Sequence, residues 1–285
     1  MGSGRSGSTI LGVALGNCEG LFYAGELDNW LARAGVPLQG GIERRRFWSE
    51  VRREMAGAEK LFGHDAQRLL ERSFSPFRVH KWRVRRGLRG EYRRVSEKLY
   101  RTIARVAGAT HVVDTAHFPL RGRELQALKG IDLHLIFLIR DPQSVVASFN
   151  LYLNRNDTAE RWLRVLSTNA NLWLTHVLAT LVFLRHPRAR RMLLRHEDFL
   201  ADPEGMLRTI LDWSGSSAPL PDLTSLKTGF PINGNRLLQA EVVSLERRAS
   251  SPRHDSRLTA LLQLPWRAVF SRLHPLASVD GHSSV

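Results

Sequence analysis

Residues 1–11, MGSGRSGSTIL, set glycines at positions 2, 4 and 7 among serines, with Arg5 at the centre and an apolar run opening at Ile10. With no Cβ at those positions, consecutive backbone N–H groups can turn inward around an anion. From Thr9 the segment TILGVALGN carries Ile10, Leu11, Val13, Ala14 and Leu15. That spacing predicts a short buried helix whose N-terminus points at the same anion. Against the pattern G-x-x-x-x-G-K-[ST], Gly2 and Gly7 fall on the glycines and Thr9 on the hydroxyl, but Ser8 stands where lysine is required. The lysine neutralises nucleotide β/γ-phosphates while the hydroxyl holds Mg²⁺, so this loop suits an ATP or GTP hydrolase poorly. Arg5 is left to supply the positive charge.

Further along, the apolar period separates strands from helices. A turn is expected at 19–25, then an amphipathic helix over ELDNWLARAG ended by Gly35 and Pro37. Residues 42–106 read mostly helical. THVVDTAH is a short β-branched run, and IDLHLIFLIRD suits a central parallel strand buried on both faces, with a crossover helix over LRGRELQALKG between them. RMLLRHED forms another strand after a long helix at 158–185, and PEGMLRTILDWSG a helix after that. Strands alternating with helices predict an α/β fold with a doubly wound, mostly parallel sheet flanked by helices. The expected layout is one domain over 1–285, with a helical, arginine-rich insertion at about 42–106 and a loose tail at about 278–285. Ligands of such sheets sit at the carboxyl ends of the strands, where DTAH and RDPQS join the glycine loop.

The chain has 285 residues, 43% of them hydrophobic, and 42 basic against 27 acidic side chains give a net charge of +15. That charge implies an anionic partner without choosing among phosphorylated ligands, acidic headgroups, acidic sugars and nucleic acid. The single cysteine, Cys18, excludes an internal disulfide framework and fits a reducing compartment. No signal peptide is expected, and the longest apolar run, LWLTHVLATLVFL at 172–184, is too short to span a bilayer and reads as a buried helix. The stretch 78–105 holds eleven Lys/Arg against two Glu, interleaved with Trp82, Tyr92 and Tyr100. It reads as a solvated face, or as a contact for an acidic substrate or membrane surface, and only weakly as an RNA surface.

Together these residues resemble the sulfotransferases that use 3′-phosphoadenosine 5′-phosphosulfate (PAPS), in particular the bacterial and Golgi-type branch. GSGRSGST looks like the family's 5′-phosphosulfate loop, and LIRDPQSVVASFNLY like its 3′-phosphate motif of strand, Arg-Asp-Pro and a serine eight residues after the arginine. VVDTAHFPLR matches the Val-Asp-Ser-Ser-Lys segment, LLRHEDFLADPEGMLRTIL the later Arg-Tyr-Glu-Asp strand and helix, and GNR at 234–236 a C-terminal Gly-Asn-Arg loop. The resemblance runs in order from residue 2 to about 236 and implies a P-loop-like sulfotransferase fold. It assigns Arg5, Ser6, Gly7, Ser8 and Thr9 to the phosphosulfate, Arg140 and Ser148 to the 3′-phosphate, and Asn235 and Arg236 to a closing loop. A sulfuryl group carries less charge than a transferring phosphoryl group, so loop amides and one arginine can replace lysine plus Mg²⁺. No metal is expected.

A hydroxyl acceptor must lose its proton as it attacks, and two groups compete to take it. Glu26, in YAGELDNW, resembles a glutamate that tyrosyl-protein sulfotransferases carry after their loop; His117, in TAHFPL, resembles the histidine of the cytosolic Thr-His-Leu-Pro segment. The sequence reading favours Glu26 as base with His117 as auxiliary. The branch expects lysine at position 117 and tyrosine at position 196, where His196 stands, and about five apolar residues ahead of the loop, so one central strand is expected to be missing. The leading function is a bacterial, cytoplasmic sulfotransferase acting on a small-molecule or glycolipid hydroxyl, with peripheral contact to an acidic membrane surface and no nucleic-acid partner. A P-loop nucleotide kinase or NTPase and a basic nucleic-acid-binding module are the alternatives.

Overall fold

The computed structural model of the chain describes residues 1–37, 40–153, 161–246 and 257–268; the tail expected at 278–285 lies outside them. It is an α/β fold of parallel strands flanked by helices. The glycine loop runs into α1 (Ser8–Gly16), and residues 21–25, expected as a turn, instead form β1 (Leu21–Gly25). The turn falls earlier, at Gly20 with φ 75°, and Phe22 and Tyr23 are free to take the extended backbone that aromatic residues favour. Tyr23 packs on α1 so closely that a Cβ at Gly12 or Gly16 would lie 2.4 Å from it.

After α2 (Asp28–Ala32) the arginine-rich insertion is helical as expected: α3 (Ile42–Glu54), α4 (His64–Leu70) and the long α5 (Trp82–Ala107), linked by short 3-10 turns. Trp48, Val51, Tyr92, Leu99 and Ile103 from α3 and α5 bury against Trp30 and Leu31 of α2, giving the insertion its own core. The chain then alternates: β2 (His111–Asp114), α6 (Pro119–Leu125), β3 (Leu135–Ile139), α7 (Pro142–Leu153), α8 (Arg161–Arg185), β4 (Arg191–Arg195), α9 (His196–Ala201) and α10 (Pro203–Trp213). The RMLLRHED strand stops at Arg195, with α9 starting on its last three residues. The 172–184 run lies in α8, where His176 and Ala179 are buried while Leu181 and Leu184 are each 47% exposed, so the helix is buried on one side only.

β1 pairs in parallel with β2, and β3 in parallel with β4, while β5 (Leu226–Lys227) and β6 (Val242–Val243) form a separate antiparallel pair. The two parallel pairs meet through Met1 and Gly2. Gly2 bridges Leu138, the Leu138 amide donates to the Met1 carbonyl at 3.0 Å, the Gly2 amide donates to the His117 carbonyl at 3.3 Å, and the Met1 ammonium donates to the Ile136 carbonyl at 2.7 Å. Beyond Met1 the edges of β2 and β3 face each other across a cleft of about 180 Å³, lined by Val112, Val113, Leu135, Ile136, Leu125 and Trp213. A cleft with two unpaired strand edges and apolar walls has the shape of a parallel strand.

A buried polar node fixes the carboxyl end of β2. Arg121 on α6, 2% exposed, donates to Glu71 at 2.9 Å, to the Asp114 carboxylate at 3.1 Å and to the Tyr92 and Tyr100 hydroxyls at 2.7 and 3.1 Å. The Tyr92 hydroxyl in turn donates to Glu71. Asp114 accepts from the Leu27 amide at 3.2 Å, the Ala116 amide at 2.8 Å and the Tyr100 hydroxyl at 2.5 Å. One carboxylate therefore ties the ends of β1 and β2 to α5 and α6, and holds in place the turn that leads to His117.

Candidate active site

The loop turns into α1 through two left-handed residues, Arg5 at φ 65° and Gly7 at φ 93°. Position 7 requires glycine on two counts: the positive φ, and a Cβ there would lie 2.3 Å from Nδ1 of the buried His196. The departure from tyrosine at 196 thus places an imidazole against the loop, its pKa pushed down to about 4 by burial and by the charge of Arg140. Gly7 caps α1 without a side-chain acceptor, and the first helical bond runs from the Leu11 amide to its carbonyl at 3.4 Å. The amides of Ser8, Thr9 and Ile10 precede that bond, which is the arrangement that binds anions at a helix N-terminus. Ser6 and Thr9 are buried beside them.

Arg140, at the end of β3, reaches the loop and donates from Nη1 to the Arg5 carbonyl at 3.1 Å. On its other side Arg5 donates to Asn235 Oδ1 at 3.4 Å, and the same oxygen accepts from the Arg236 amide at 2.6 Å. The segment carrying Asn235 is laced to the end of β1: the Ile232 amide donates to the Ala24 carbonyl at 2.9 Å, and the Glu26 amide to the Asn233 carbonyl at 3.0 Å. Arg5, Arg140 and Asn235, distant in sequence, therefore converge. Arg236 sits exposed at the start of a 3-10 turn, Arg236–Gln239, and Ser148 lies on the second turn of α7. That helix is fixed by Asp141, which accepts from the Ser144 amide at 2.9 Å, while its own amide donates to Glu197 at 2.9 Å. Glu197 thereby orients the strand end, the structural task expected of it.

The two base candidates approach from different sides. Glu26 follows β1, half-buried, and accepts from the Asn29 amide group at 3.4 Å; burial and Asp114 push its carboxyl above the usual range, with Arg5 opposing. His117 stacks beside Phe118 at 4.3 Å between ring centroids. Its pKa is pushed down to about 4 by burial, then by the positive charges of Arg72 and the Met1 ammonium, with Asp114 opposing. At neutral pH the ring is uncharged and can accept a proton. It lines both the small cavity under the loop, with Ser6 and Ser8, and a larger one of about 200 Å³ beside the loop. The larger cavity is walled by Ser3, Gly4, Arg72, Phe149 and Thr175, with the Ser73 and Thr175 hydroxyls bonded to each other at 3.2 Å. The Ser3 hydroxyl there is buried with no protein partner.

The sequence gave no sign of that cavity, because residues 72–74 lie in an insertion with no recognisable motif. Nor did it mark Arg121, whose partners come from three separate segments. Among the described residues no group of three His, Cys, Asp or Glu is placed to hold a metal, and no helix is long and apolar enough to cross a membrane.

The family model described as the sulfotransferase family matches residues 1–219. Among solved structures, the chain is similar to a sulfotransferase domain from the curacin biosynthetic pathway, with TM-score 0.55 and 16% identity over 93% of this chain and 95% of that one. It is also similar to a sulfotransferase domain from the Synechococcus PCC 7002 olefin synthase, with TM-score 0.54 and 18% identity over 93% of this chain and 92% of that one. At these identities the likeness is one of fold. No curated protein matches.

Proposed function

The chain belongs to the sulfotransferase family, and from that premise we propose that it transfers the sulfuryl group of PAPS to a hydroxyl of a small-molecule or glycolipid acceptor. The observation that carries this reading is the convergence of Arg5, Arg140 and Asn235 on the loop that opens α1. The residues present fit the nucleotide: a glycine cradle that a Cβ at position 7 would fill, helix amides for the 5′ end, and a strand-end arginine beside α7 for the 3′-phosphate. Arg5, Ser6, Gly7, Ser8 and Thr9 would hold the phosphosulfate, Arg140 and Ser148 the 3′-phosphate, with Asn235 and Arg236 closing from the C-terminal segment.

When bound, PAPS supplies a sulfur whose bond to the phosphate oxygen breaks as the acceptor oxygen bonds to it, the electron pair departing on that phosphate. Arg5 and the loop amides face the charge that develops there, in a site where desolvation strengthens them. His117 takes the acceptor's proton in the reading that the cavities favour, since its neutral ring borders both the loop and the 200 Å³ space we assign to the acceptor. A second reading rests on Glu26, whose raised pKa and nearness to Arg5 suit a base.

A thermal-shift comparison tests the proposal. Adenosine 3′,5′-bisphosphate, the expected product, should raise the melting temperature without added metal, and ATP with Mg²⁺ should do so far less. Stabilisation by ATP–Mg²⁺ alone would instead establish the nucleotide-kinase alternative.

A further inference from the structure

Between Arg72 and Gly90 the sequence carries seven Lys/Arg and no Asp or Glu. The same segment turns its apolar side chains outward: Phe74 is 51% exposed, Phe77 69%, Val79 75%, Trp82 56% and Val84 54%. Interleaved with them, Arg78, Lys81, Arg83 and Arg86 are exposed, and none enters an ion pair among the described residues. Phe74 and Phe77 lie 6.2 Å apart, and the Arg86 guanidinium stands over the Trp82 ring at 5.5 Å. Elsewhere the large exposed apolar side chains are scattered along the chain; here five fall within eleven residues.

A clustered apolar protrusion on a monomeric fold marks an interaction surface. Its ring of unopposed cations names the complementary partner as anionic, and tryptophan with long basic side chains is the composition that settles at a lipid headgroup boundary. Single-stranded nucleic acid would use the cations and aromatic faces, but it has no use for Val79 and Val84. We propose that the strip spanning residues 74–86 docks on an anionic lipid bilayer. Phe74 also lines the 200 Å³ cavity next to Arg72 and Phe118, so docking sets the mouth of that cavity at the headgroups. On the reading of that cavity as the acceptor site, the acceptor is an amphiphile whose hydroxyl lies at the membrane surface.

The full chain is sedimented with vesicles of phosphatidylcholine alone and of phosphatidylcholine with phosphatidylglycerol, at low and high salt. Binding is expected for the anionic vesicles and should weaken with salt. Each cation replaced in the Arg78→Gln, Lys81→Gln and Arg83→Gln series should weaken it about fivefold. Phe77→Ser with Trp82→Ser, both at exposed positions, should weaken it tenfold or more while leaving bisphosphate affinity unchanged. Equal binding to both vesicle compositions, binding unaffected by the Phe77/Trp82 pair, or binding to a single-stranded oligonucleotide with none to vesicles would each overturn the proposal. Vesicle binding by a chain that fails to bind the bisphosphate would overturn the proposed function and leave the docking surface standing; the reverse result would do the opposite.

Discussion

Replacing Arg140 by alanine removes two contacts of different kinds, and two ligands can separate them. One is the ion pair assigned to the 3′-phosphate, a charge-assisted contact of about 1.5–3 kcal/mol, equivalent to roughly 10- to 150-fold in dissociation constant. The other is the observed bond from its guanidinium to the Arg5 carbonyl at 3.1 Å, a neutral-acceptor contact of about 0.5–1.5 kcal/mol, roughly 2- to 12-fold. Adenosine 3′,5′-bisphosphate should feel both losses, whereas AMP, which lacks the 3′-phosphate, should feel only the loosening of the loop. Titration calorimetry on wild type and Arg140→Ala with both nucleotides gives the difference directly. A tenfold or larger excess loss for the bisphosphate is expected, with Arg140→Lys recovering part of it. An equal loss for the two ligands would refute the 3′-phosphate assignment and leave Arg140 as a prop for the loop.

Arg121→Met strands Glu71 and Asp114 in the interior, so urea unfolding should show a loss of about 3–5 kcal/mol, partly recovered by adding Glu71→Leu; a loss under about 1 kcal/mol would show that the node is not under that electrostatic load. The pKa values of His117, His196 and His176 are pushed down to about 4, 4 and 3, mainly by burial. Unfolded histidines take up protons near pH 6.5, so the folded state binds fewer: stability should be full above about 6.5 and fall as pH drops toward 4. A flat denaturation profile over that range would contradict the burial of these rings. If His117 is the base, the acid limb of the rate profile lies near pH 4 and disappears in His117→Gln; a limb that disappears in Glu26→Gln instead assigns the proton to the glutamate. A five-residue apolar segment added ahead of Met1 should enter the cleft between β2 and β3 and raise the melting temperature, whereas a polar segment of equal length should not; equal effects would show that the cleft does not accept a strand.

The parallel strands and the glycine loop were legible because each is written in local sequence: LIFLI is apolar throughout, and the loop's glycines precede an apolar helix directly. β1 was missed because its length equals that of an ordinary turn and its partner, His111–Asp114, lies ninety residues away. The candidate site divides the same way. Arg5, Arg140 and Asn235 sit in short motifs and do converge, although nothing in their spacing gives the bond from Arg140 to the Arg5 carbonyl. Arg72 and Ser3 carry no motif, and only the packing of the insertion against α7 and α8 brings them beside His117. The contest between Glu26 and His117 rests on burial and surrounding charge, which residue type alone does not encode.

The join between the two strand pairs bears on how this protein behaves in concentrated solution. Among the described residues it depends on Met1 and Gly2, and the backbone groups of β2 and β3 beyond them are open to any extended chain that arrives. Unprotected edges of this kind template cross-molecular pairing, and aggregation is the usual result. Mutual repulsion from a net charge of +15 is the force opposing such encounters. Raising the ionic strength shortens its reach to a few ångströms, so purified material should remain dispersed in dilute buffer and turn cloudy as salt is added.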